Sequence, residues 1–246
     1  MKNAFRQLIR RFGVDVIRYP LHSSLARTAR LLDSHRIDCV LDVGANDGGF
    51  AYDIRKLGYN GRIVSFEPLK VPFEKLSRRA IKDSSWHAIN CAIGDTRGEV
   101  AIHVSANSAL SSSVLPMLDA HVSAAPDSRY VAIESVPIET LDQMLPTLGL
   151  GPECRTFLKV DVQGYERAVL DGASRLLSSS TIVGMQLELS LVPLYAGSMT
   201  YRDALDRAET LNMALMGMEP VFADALTGQL LQVDAVFFRN SSRAAQ

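Results

Sequence analysis

Short apolar segments alternate with helix-like segments from residue 39 onward, and this order constrains the fold more than any other feature. The apolar run Cys39–Val43 ends in a glycine-rich turn, and the helix-like run Phe50–Leu57 follows it. Two further strand-like runs, Arg62–Phe66 and Trp86–Ile93, enclose a second helix-like run over Val71–Ile81. Strands and helices that alternate with short connections are typical of a doubly wound parallel sheet with helices on both faces. We therefore expect an α/β domain.

The second half of the chain continues the pattern after a less regular middle. Glu99–Ser105 alternates polar and apolar residues like an exposed strand, and the Ser- and Ala-rich segment Ala106–Ser128 follows it. A loop of that length in a compact domain is usually functional or mobile. Glu134–Ile138 is expected to return to the sheet. The remaining predicted elements are strands Thr156–Asp161 and Ile182–Leu189, helices Tyr165–Leu177 and Tyr201–Met213, and a final hairpin of Met216–Ala223 and Leu230–Arg239.

These segments predict one domain over residues 39–240 with a mostly parallel, seven-stranded sheet and a C-terminal antiparallel hairpin. Residues 1–38 are basic and could form a helical extension that covers an edge of this domain. The alternative is peripheral contact with an anionic membrane surface, because Phe5, Leu8, Ile9 and Phe12 share one helical face. Residues 241–246 are expected to be a disordered tail.

Composition excludes several classes of protein. A formal net charge of -1 gives no reason to expect nucleic acid as a partner. The N-terminus lacks the apolar core of a signal peptide, and no run approaches the ~20 apolar residues of a membrane span. The sequence therefore predicts a cytoplasmic protein, with a location peripheral to the inner membrane face as the alternative, and leaves its oligomeric state open.

The turn after the first strand, Asp42–Gly49, has the composition of a ligand-binding loop. Its glycines allow a sharp turn and a close approach of ligand to backbone, and the following helix start offers free N–H groups. A dinucleotide site would need a glycine where Asn46 stands. The loop therefore favours a nucleoside cofactor with an amino-acid tail, and Asp42 is expected to face the ammonium group of that tail, directly or through water.

Glu67 ends the second strand, about twenty residues after the loop, where a carboxylate can accept hydrogen bonds from both ribose hydroxyls. Phe66 and Pro68 are expected to flank an adenine, and the turn from Asn90 to Ala92 to offer backbone groups to its edge. The complete set of predicted cofactor contacts is Asp42, Gly44, Ala45, Asn46, Gly48, Phe66, Glu67, Pro68, Asn90 and Ala92.

Five strings resemble those of the FkbM-type methyltransferases: LDVGANDGGF, SFEP, AIGD, LKVDVQGYERAVLDGA and LELSLVPLYAG. The similarity runs from about Val40 to Arg239. Asp161, Gly164 and Glu166 match the family signature D-x-x-G-x-E, whereas Gln163 stands where the commoner version has Glu. The resemblance implies the Rossmann-like class I methyltransferase fold and S-adenosylmethionine as cofactor.

The same resemblance implies O-methylation of a hydroxyl on a sugar, a glycolipid or a natural product. Two alternatives stay open. The acceptor could be a nonsugar, polyketide-type hydroxyl, or the chain could bind S-adenosylmethionine without turnover.

Asp161 and Glu188 are the candidate catalytic residues, because both end predicted strands at the edge where ligands bind in such sheets. A sugar hydroxyl is a weak acid, so a general base should assist its deprotonation, and Asp161 is the first candidate. The alternative is a Mg²⁺ ion held by the two carboxylates. We favour the metal-free interpretation because no further acidic pair completes a cage.

The acceptor is expected to contact the Ser-rich segment and the residues that follow Glu188. Asn107, Ser111 and Ser112 offer polar groups for a lid over the acceptor. Tyr195 could stack on a sugar face, and a buried packing role is the alternative.

Overall fold

The computed structural model describes residues 11–12 and 23–240. Its strands are β1 Cys39–Val43, β2 Arg62–Phe66, β3 Trp86–Ile89, β4 Ala92–Ile93, β5 Gly98–Ser105, β6 Tyr130–Glu139, β7 Thr156–Val160, β8 Ile182–Ser190, β9 Met213–Ala223 and β10 Leu230–Arg239. Its α-helices are α1 Ser24–Ser34, α2 Gly49–Lys56, α3 Lys70–Ala80, α4 Asp119–Ala124, α5 Leu141–Leu148, α6 Glu166–Asp171, α7 Ser174–Ser178 and α8 Tyr201–Thr210. A short 3-10 helix spans Pro126–Ser128.

The main sheet has seven strands in the order β3-β2-β1-β7-β8-β10-β9. The pairs from β3 to β8 are parallel, and β10 is antiparallel to both β8 and β9. The predicted seven-stranded α/β fold with a C-terminal antiparallel hairpin is confirmed. Because β1 and β7 lie at the centre, the chain segments that follow them meet at one edge of the sheet.

Helices cover both faces of this sheet, as the alternation of strand side chains requires. Leu41 and Leu158 belong to the apolar cluster that includes residues of α5, α6, α7 and α8. Their neighbours Val40 and Phe157 belong to the opposite cluster, which includes residues of α1, α2 and α3. All five residues of β1 and of β7 are buried, which explains their continuous apolar appearance in the sequence.

A second, three-stranded sheet corrects two sequence-based expectations. The predicted strand Trp86–Ile93 is divided, because Asn90 turns the chain by donating from Nδ2 to the carbonyls of Glu67 and Pro68, both at 2.9 Å. The residues after this turn form β4, which joins β6 and β5 in the order β4-β6-β5. Glu134–Ile138 therefore belongs to this small sheet and does not return to the main one.

The N-terminal part that the structure describes is α1, which begins after Ser23. The Ser23 side chain accepts from the Ala26 N–H, and Leu32 is buried in the same cluster as α2 and α3. Phe12 is exposed, while Phe5, Leu8, Ile9 and the tail 241–246 lie outside the described residues. The domain limits, the membrane contact and the cytoplasmic location stay predictions. No helix in the described part is long and apolar enough to cross a bilayer.

A substitution at Gly172 tests how tightly the small sheet packs against the main domain. A Cβ atom there would lie 1.8 Å from the Gly94 carbonyl oxygen, and neither backbone can move without shifting its neighbours. Gly172→Ala should therefore lower the free energy of unfolding by at least about 1–3 kcal/mol, measured by urea denaturation. Gly151→Ala is the matched control, because nothing lies within 4 Å of its added Cβ. Equal stability of the two variants would contradict this packing.

Candidate functional site

A cavity of about 720 Å³, its open mouth included, lies between the main sheet and the small sheet. Residues at the ends of β1, β2 and β7 line one side, and residues of β4, β5 and the Ser-rich segment line the other. The predicted site residues on its wall are Gly44, Asn46, Phe66, Glu67, Pro68, Ala92, Ser112 and Asp161. Its wall combines apolar residues with a few polar groups, which is typical of a small-molecule site.

Gly44 brings the floor of the cavity together. Its φ is +78°, and an added Cβ would lie 1.8 Å from the Asp161 carbonyl oxygen, so only glycine fits. The Gly44 and Ala45 N–H groups both donate to the Phe66 carbonyl at 3.0 Å. The Asp161 N–H donates to the Val43 carbonyl at 3.0 Å. The ends of β1, β2 and β7 are therefore held against one another.

Two other predicted loop residues support the cavity without lining it. Gly48 has a φ of +81°, and its Cα packs so closely on Leu76 and Trp86 that an added Cβ would lie 2.8–2.9 Å from them. Ala45 is buried in the apolar cluster beneath the loop. Both residues shape the turn into α2.

Glu67 is buried at 5% exposure and holds the loop with both carboxylate oxygens. Oε2 accepts from the Asn46 N–H at 2.8 Å, and Oε1 accepts from the Leu69 N–H at 2.9 Å. Burial raises the pKa of Glu67 to about 7. Each oxygen keeps a second lone pair for a further hydrogen bond, so this carboxylate could also receive ligand hydroxyls.

Asp42 differs from the expectation that it faces a ligand. Its side chain is fully buried and is absent from the cavity wall. Oδ2 accepts from the Ser65 hydroxyl at 3.2 Å, and Oδ1 lies 3.4 Å from the Lys159 ammonium. In this position Asp42 does not reach the cavity, so it cannot contact the amino-acid end of a cofactor directly. Sequence reasoning did not pair Asp42 with Lys159, because the two residues lie on different strands, β1 and β7.

Lys159 is a buried cation that serves several carboxylates. Its Nζ also lies 3.3 Å from Asp161 Oδ2. Burial lowers the pKa of Lys159, but Asp161, Asp42 and Asp234 outweigh it and raise that pKa above its ordinary value. Burial raises the pKa of Asp42, and Lys159 and Ser65 offset only part of this. Negative charge is therefore in excess around one ammonium group.

The two candidate catalytic carboxylates lie on either side of an amide. The Asp161 side chain is 32% exposed and reaches the cavity, whereas Glu188 is buried and does not line it. Gln163 Nε2 donates to Asp161 Oδ1 at 2.9 Å and to Glu188 Oε2 at 2.6 Å. Burial raises the pKa of Glu188 well above its ordinary value, and the nearby charge of Asp161 adds to this.

This arrangement does not fit the Mg²⁺ ion considered from the sequence. The Gln163 amide directs its hydrogen atoms toward both carboxylates, and the Lys159 ammonium occupies the other side of Asp161. A hard cation needs oxygen ligands there. Across residues 11–12 and 23–240, no group of three or more His, Cys, Asp or Glu side chains is arranged to hold a metal ion.

Glu166 maintains the loop that carries Gln163. Its Oε1 accepts from the Gly164 N–H at 3.0 Å and from the Val162 N–H at 3.3 Å. Burial raises the pKa of Glu166 to about 7, against the effect of these hydrogen bonds. The signature residue therefore stabilises the loop after β7 and has no place on the cavity wall.

The predicted acceptor residues divide into two groups. Ser112 lines the cavity, but Asn107 and Ser111 bond to each other, with Nδ2 donating to Oγ at 2.9 Å, and are absent from the wall. Tyr195 is 1% exposed, and its hydroxyl donates to Gln163 Oε1 at 2.7 Å. Its ring cannot stack on a sugar in this position. The structure places Tyr195 in the buried packing role, which was the alternative to stacking on a sugar.

Comparison with known proteins decides the family. The model of the methyltransferase FkbM domain matches residues 42–213. This chain belongs to the FkbM methyltransferase family. This is a family of S-adenosylmethionine-dependent methyltransferases. No curated protein matches the chain.

Solved structures resemble this FkbM methyltransferase only distantly. A methyltransferase FkbM from Methylobacillus flagellatus is 15% identical, with a TM-score of 0.46, and the match covers 81% of this chain and 43% of that one. The present chain thus spans less than half the length of that protein. A 1,6-didemethyltoxoflavin-N1-methyltransferase from Burkholderia thailandensis, with bound S-adenosylhomocysteine, is 11% identical, with a TM-score of 0.46 and coverage of 89% and 80%.

Three residues of the FkbM site were missed by sequence reasoning. Gln163 was noted only as a departure from the commoner family signature, and Lys159 and Gln232 were not considered. Gln232 Nε2 donates to Glu188 Oε2 at 2.9 Å. Lys159 carried a local signal, since a lysine inside an otherwise apolar strand needs a buried anion. Gln232 carried none, because its partner lies 44 positions away.

Lys159→Met should destabilise this methyltransferase. Removal of one partner from a buried ion pair costs about 3–5 kcal/mol, because the other charge is left buried. Urea denaturation should show that loss at pH 8, and Lys159→Met combined with Asp42→Asn should recover part of it. Lys75→Met, at an exposed lysine of α3, is the control.

The loss in Lys159→Met should shrink as the pH falls. A carboxyl whose pKa is higher in the folded than in the unfolded protein adds stability at low pH and loses it as the pH rises through the folded value. Asp42 is such a group, because burial raises its pKa. A destabilisation that is independent of pH would contradict the charge imbalance described here.

Proposed function

We propose that S-adenosylmethionine binds in the cavity between Glu67 and Asp161. Glu67 would accept hydrogen bonds from the ribose hydroxyls through the lone pairs that Asn46 and Leu69 leave free. Phe66 and Pro68, which line the same end, would flank the adenine. At the other end, Gly44 and Asp161 lie together on the cavity wall, where the amino-acid end of the cofactor would bind.

The remaining predicted cofactor residues have different parts in this proposal. Ala92 is on the cavity wall, where it can contact the adenine edge. Asn90 would act indirectly, because its amide donates to the Glu67 and Pro68 carbonyls and so positions those two residues. Gly48 and Ala45 maintain the loop, and Asp42 acts only through Lys159 and Ser65.

We further propose that the enzyme methylates a hydroxyl group, with Asp161 as general base. The observation that carries this is a partly exposed carboxylate on the wall of the same cavity, held by Lys159 and Gln163. The bound cofactor supplies a methyl group on a positively charged sulfur. As the acceptor oxygen bonds to that carbon, the carbon–sulfur bond breaks with its electron pair on sulfur, and the hydroxyl proton moves to Asp161.

The chain's own residues provide orientation and proton transfer in this reaction. Positioning an acceptor oxygen opposite the leaving sulfur can supply several kcal/mol of the rate enhancement, about 7–11 kcal/mol at most. A positioned base contributes about 10²–10⁴-fold. Ser112, on the opposite wall of the cavity, offers a hydroxyl to the acceptor. Glu188, being buried, would act through Gln163 and not on the acceptor.

For the acceptor we propose a small molecule with a sugar hydroxyl, free or in a glycolipid or natural product. This proposal rests on the family resemblance and on a cavity that is lined by both the Ser-rich segment and Gln163. A nonsugar hydroxyl and a cofactor-binding module without turnover are the competing outcomes of the tests below.

The role of Glu67 predicts a pH-dependent affinity. Ionised Glu67 accepts more hydrogen bonds than its protonated form, and burial raises its pKa to about 7. The affinity for S-adenosylmethionine, measured by calorimetry, should therefore rise between about pH 6 and pH 8. Glu67→Gln should weaken binding about 10–100-fold and abolish that pH dependence. Glu74→Gln, at an exposed position of α3, should behave as wild type. Unchanged affinity of Glu67→Gln would exclude the ribose contact.

The role of Asp161 is tested by transfer of a tritium-labelled methyl group into a panel of glycosides, glycolipids and polyketides. Asp161→Asn should lower kcat about 10²–10⁴-fold, because the base is lost. Asp206→Asn, at an exposed position of α8, is the control. EDTA should leave turnover unchanged. Full turnover by Asp161→Asn would refute the assignment of the base, and label found only in nonsugar acceptors would correct the substrate class.

A further inference from the structure

Gln163 uses every hydrogen-bonding group of its side chain inside the site. Its Nε2 donates to Asp161 Oδ1 at 2.9 Å and to Glu188 Oε2 at 2.6 Å. Its Oε1 accepts from the Tyr195 hydroxyl at 2.7 Å. Carboxylates accept, and the tyrosine hydroxyl donates, so this orientation of the amide satisfies all three contacts, whereas the flipped one would set oxygen against oxygen.

The backbone around Gln163 is held in an unfavourable conformation that presents this side chain. Its φ of +55° lies in the left-handed region, which costs a non-glycine residue about 1 kcal/mol or more. The Ser113 hydroxyl donates to the Gln163 carbonyl at 2.6 Å. Gly164 packs on Tyr195 so closely that an added Cβ would lie 2.8 Å from the tyrosine Cβ. Strain that persists under several restraints on a cavity wall indicates a functional position.

The amide separates two carboxylates that would otherwise repel each other. Two adjacent carboxylates tend to share one proton, and donors placed between them favour the charged forms. Asp161 Oδ1 is held by Gln163, while its Oδ2 faces Lys159 at 3.3 Å. Both oxygens of the proposed base are therefore fixed in orientation.

Charged groups of several neighbouring elements surround Asp161. Lys159 lies on β7, and the acidic groups are Glu188 of β8, Glu166 of α6 and Asp234 of β10. The acidic groups outnumber the one ammonium. Loss of the Gln163 donor would therefore expose Asp161 to negative charge that Lys159 alone does not balance.

We propose that Gln163 is the residue that positions Asp161 for methyl transfer, by bridging it to Glu188 with an amide that Tyr195 holds in place. The proposal rests on the function proposed above. Gln163 acts on the reaction through Asp161, so we describe it as a positioning residue. A substitution that removes the hydrogen bonds of Gln163 should change kcat, and the dependence of kcat on pH, more than it changes the affinity for the cofactor.

The test replaces Gln163 with Met, which keeps the length of the side chain and removes its hydrogen bonds. We expect kcat to fall about 10²-fold, as for a misplaced catalytic group. The KM for S-adenosylmethionine should change by less than about threefold, since the ribose contacts are retained. The acidic limb of the profile of kcat against pH should move to higher pH. Gln143→Met, at an exposed position of α5, is the matched control.

A second measurement does not depend on turnover. In protein labelled with ¹³C at Glu carboxyl groups, the carboxyl carbon of Glu188 should titrate at higher pH in Gln163→Met than in wild type. Tyr195→Phe, which keeps the buried ring, should shift both readouts in the same direction by a smaller amount. It also keeps the proposal testable if Gln163→Met fails to fold.

The outcomes separate this proposal from the proposed function. Shifted carboxyl titrations in a protein that methylates no hydroxyl acceptor would support the bridge and refute the function. Turnover in wild type with an unchanged pH limb and unchanged titrations in both variants would overturn the positioning role. A fall in cofactor affinity equal to the fall in kcat/KM, with an unchanged pH limb, would also overturn it, because Gln163 would then be a cofactor contact.

Discussion

The close contact between Gly44 and the Asp161 carbonyl is the constraint on which the site depends. A side chain at Gly44 would collide with that oxygen at 1.8 Å, so the glycine-rich loop after β1 and the acidic loop after β7 can meet this closely because position 44 is glycine. β1 and β7 are central, parallel and buried, and their carboxyl ends therefore lie side by side. This contact brings Glu67 and Asp161 to one cavity.

Buried charge is the second organising feature, and it accounts for several polar residues that never reach the cavity. Lys159 lies between Asp42 and Asp161, and Gln163 lies between Asp161 and Glu188. Charges and polar groups inside a protein need such partners, because burial without them is costly. Among the carboxylates of this row, Asp161 lies on the cavity wall with a partly exposed side chain, which makes it the one available to an acceptor.

Local sequence signals predicted the sheet, and they placed the loop after β1, Glu67 and Asp161 at the ends of apolar strands, which the structure brings to one cavity. The same reasoning placed Asp42 toward the ligand, since it could not see that Lys159 approaches from a neighbouring strand. Tyr195 was left between stacking and packing, and only the fold brings its hydroxyl to Gln163. The small sheet escaped prediction because the turn at Asn90 depends on carbonyls of another strand end.

The central claim is that one cavity holds the cofactor's ribose at Glu67 and its reacting sulfur near Asp161. A crystal structure of the protein with S-adenosylhomocysteine tests it most directly. We predict that both ribose hydroxyls lie within hydrogen-bond distance of the Glu67 carboxylate, and that the sulfur lies at the Gly44 and Asp161 end of the cavity. Clear density for the ligand at another site, or with its ribose away from Glu67, would contradict the account.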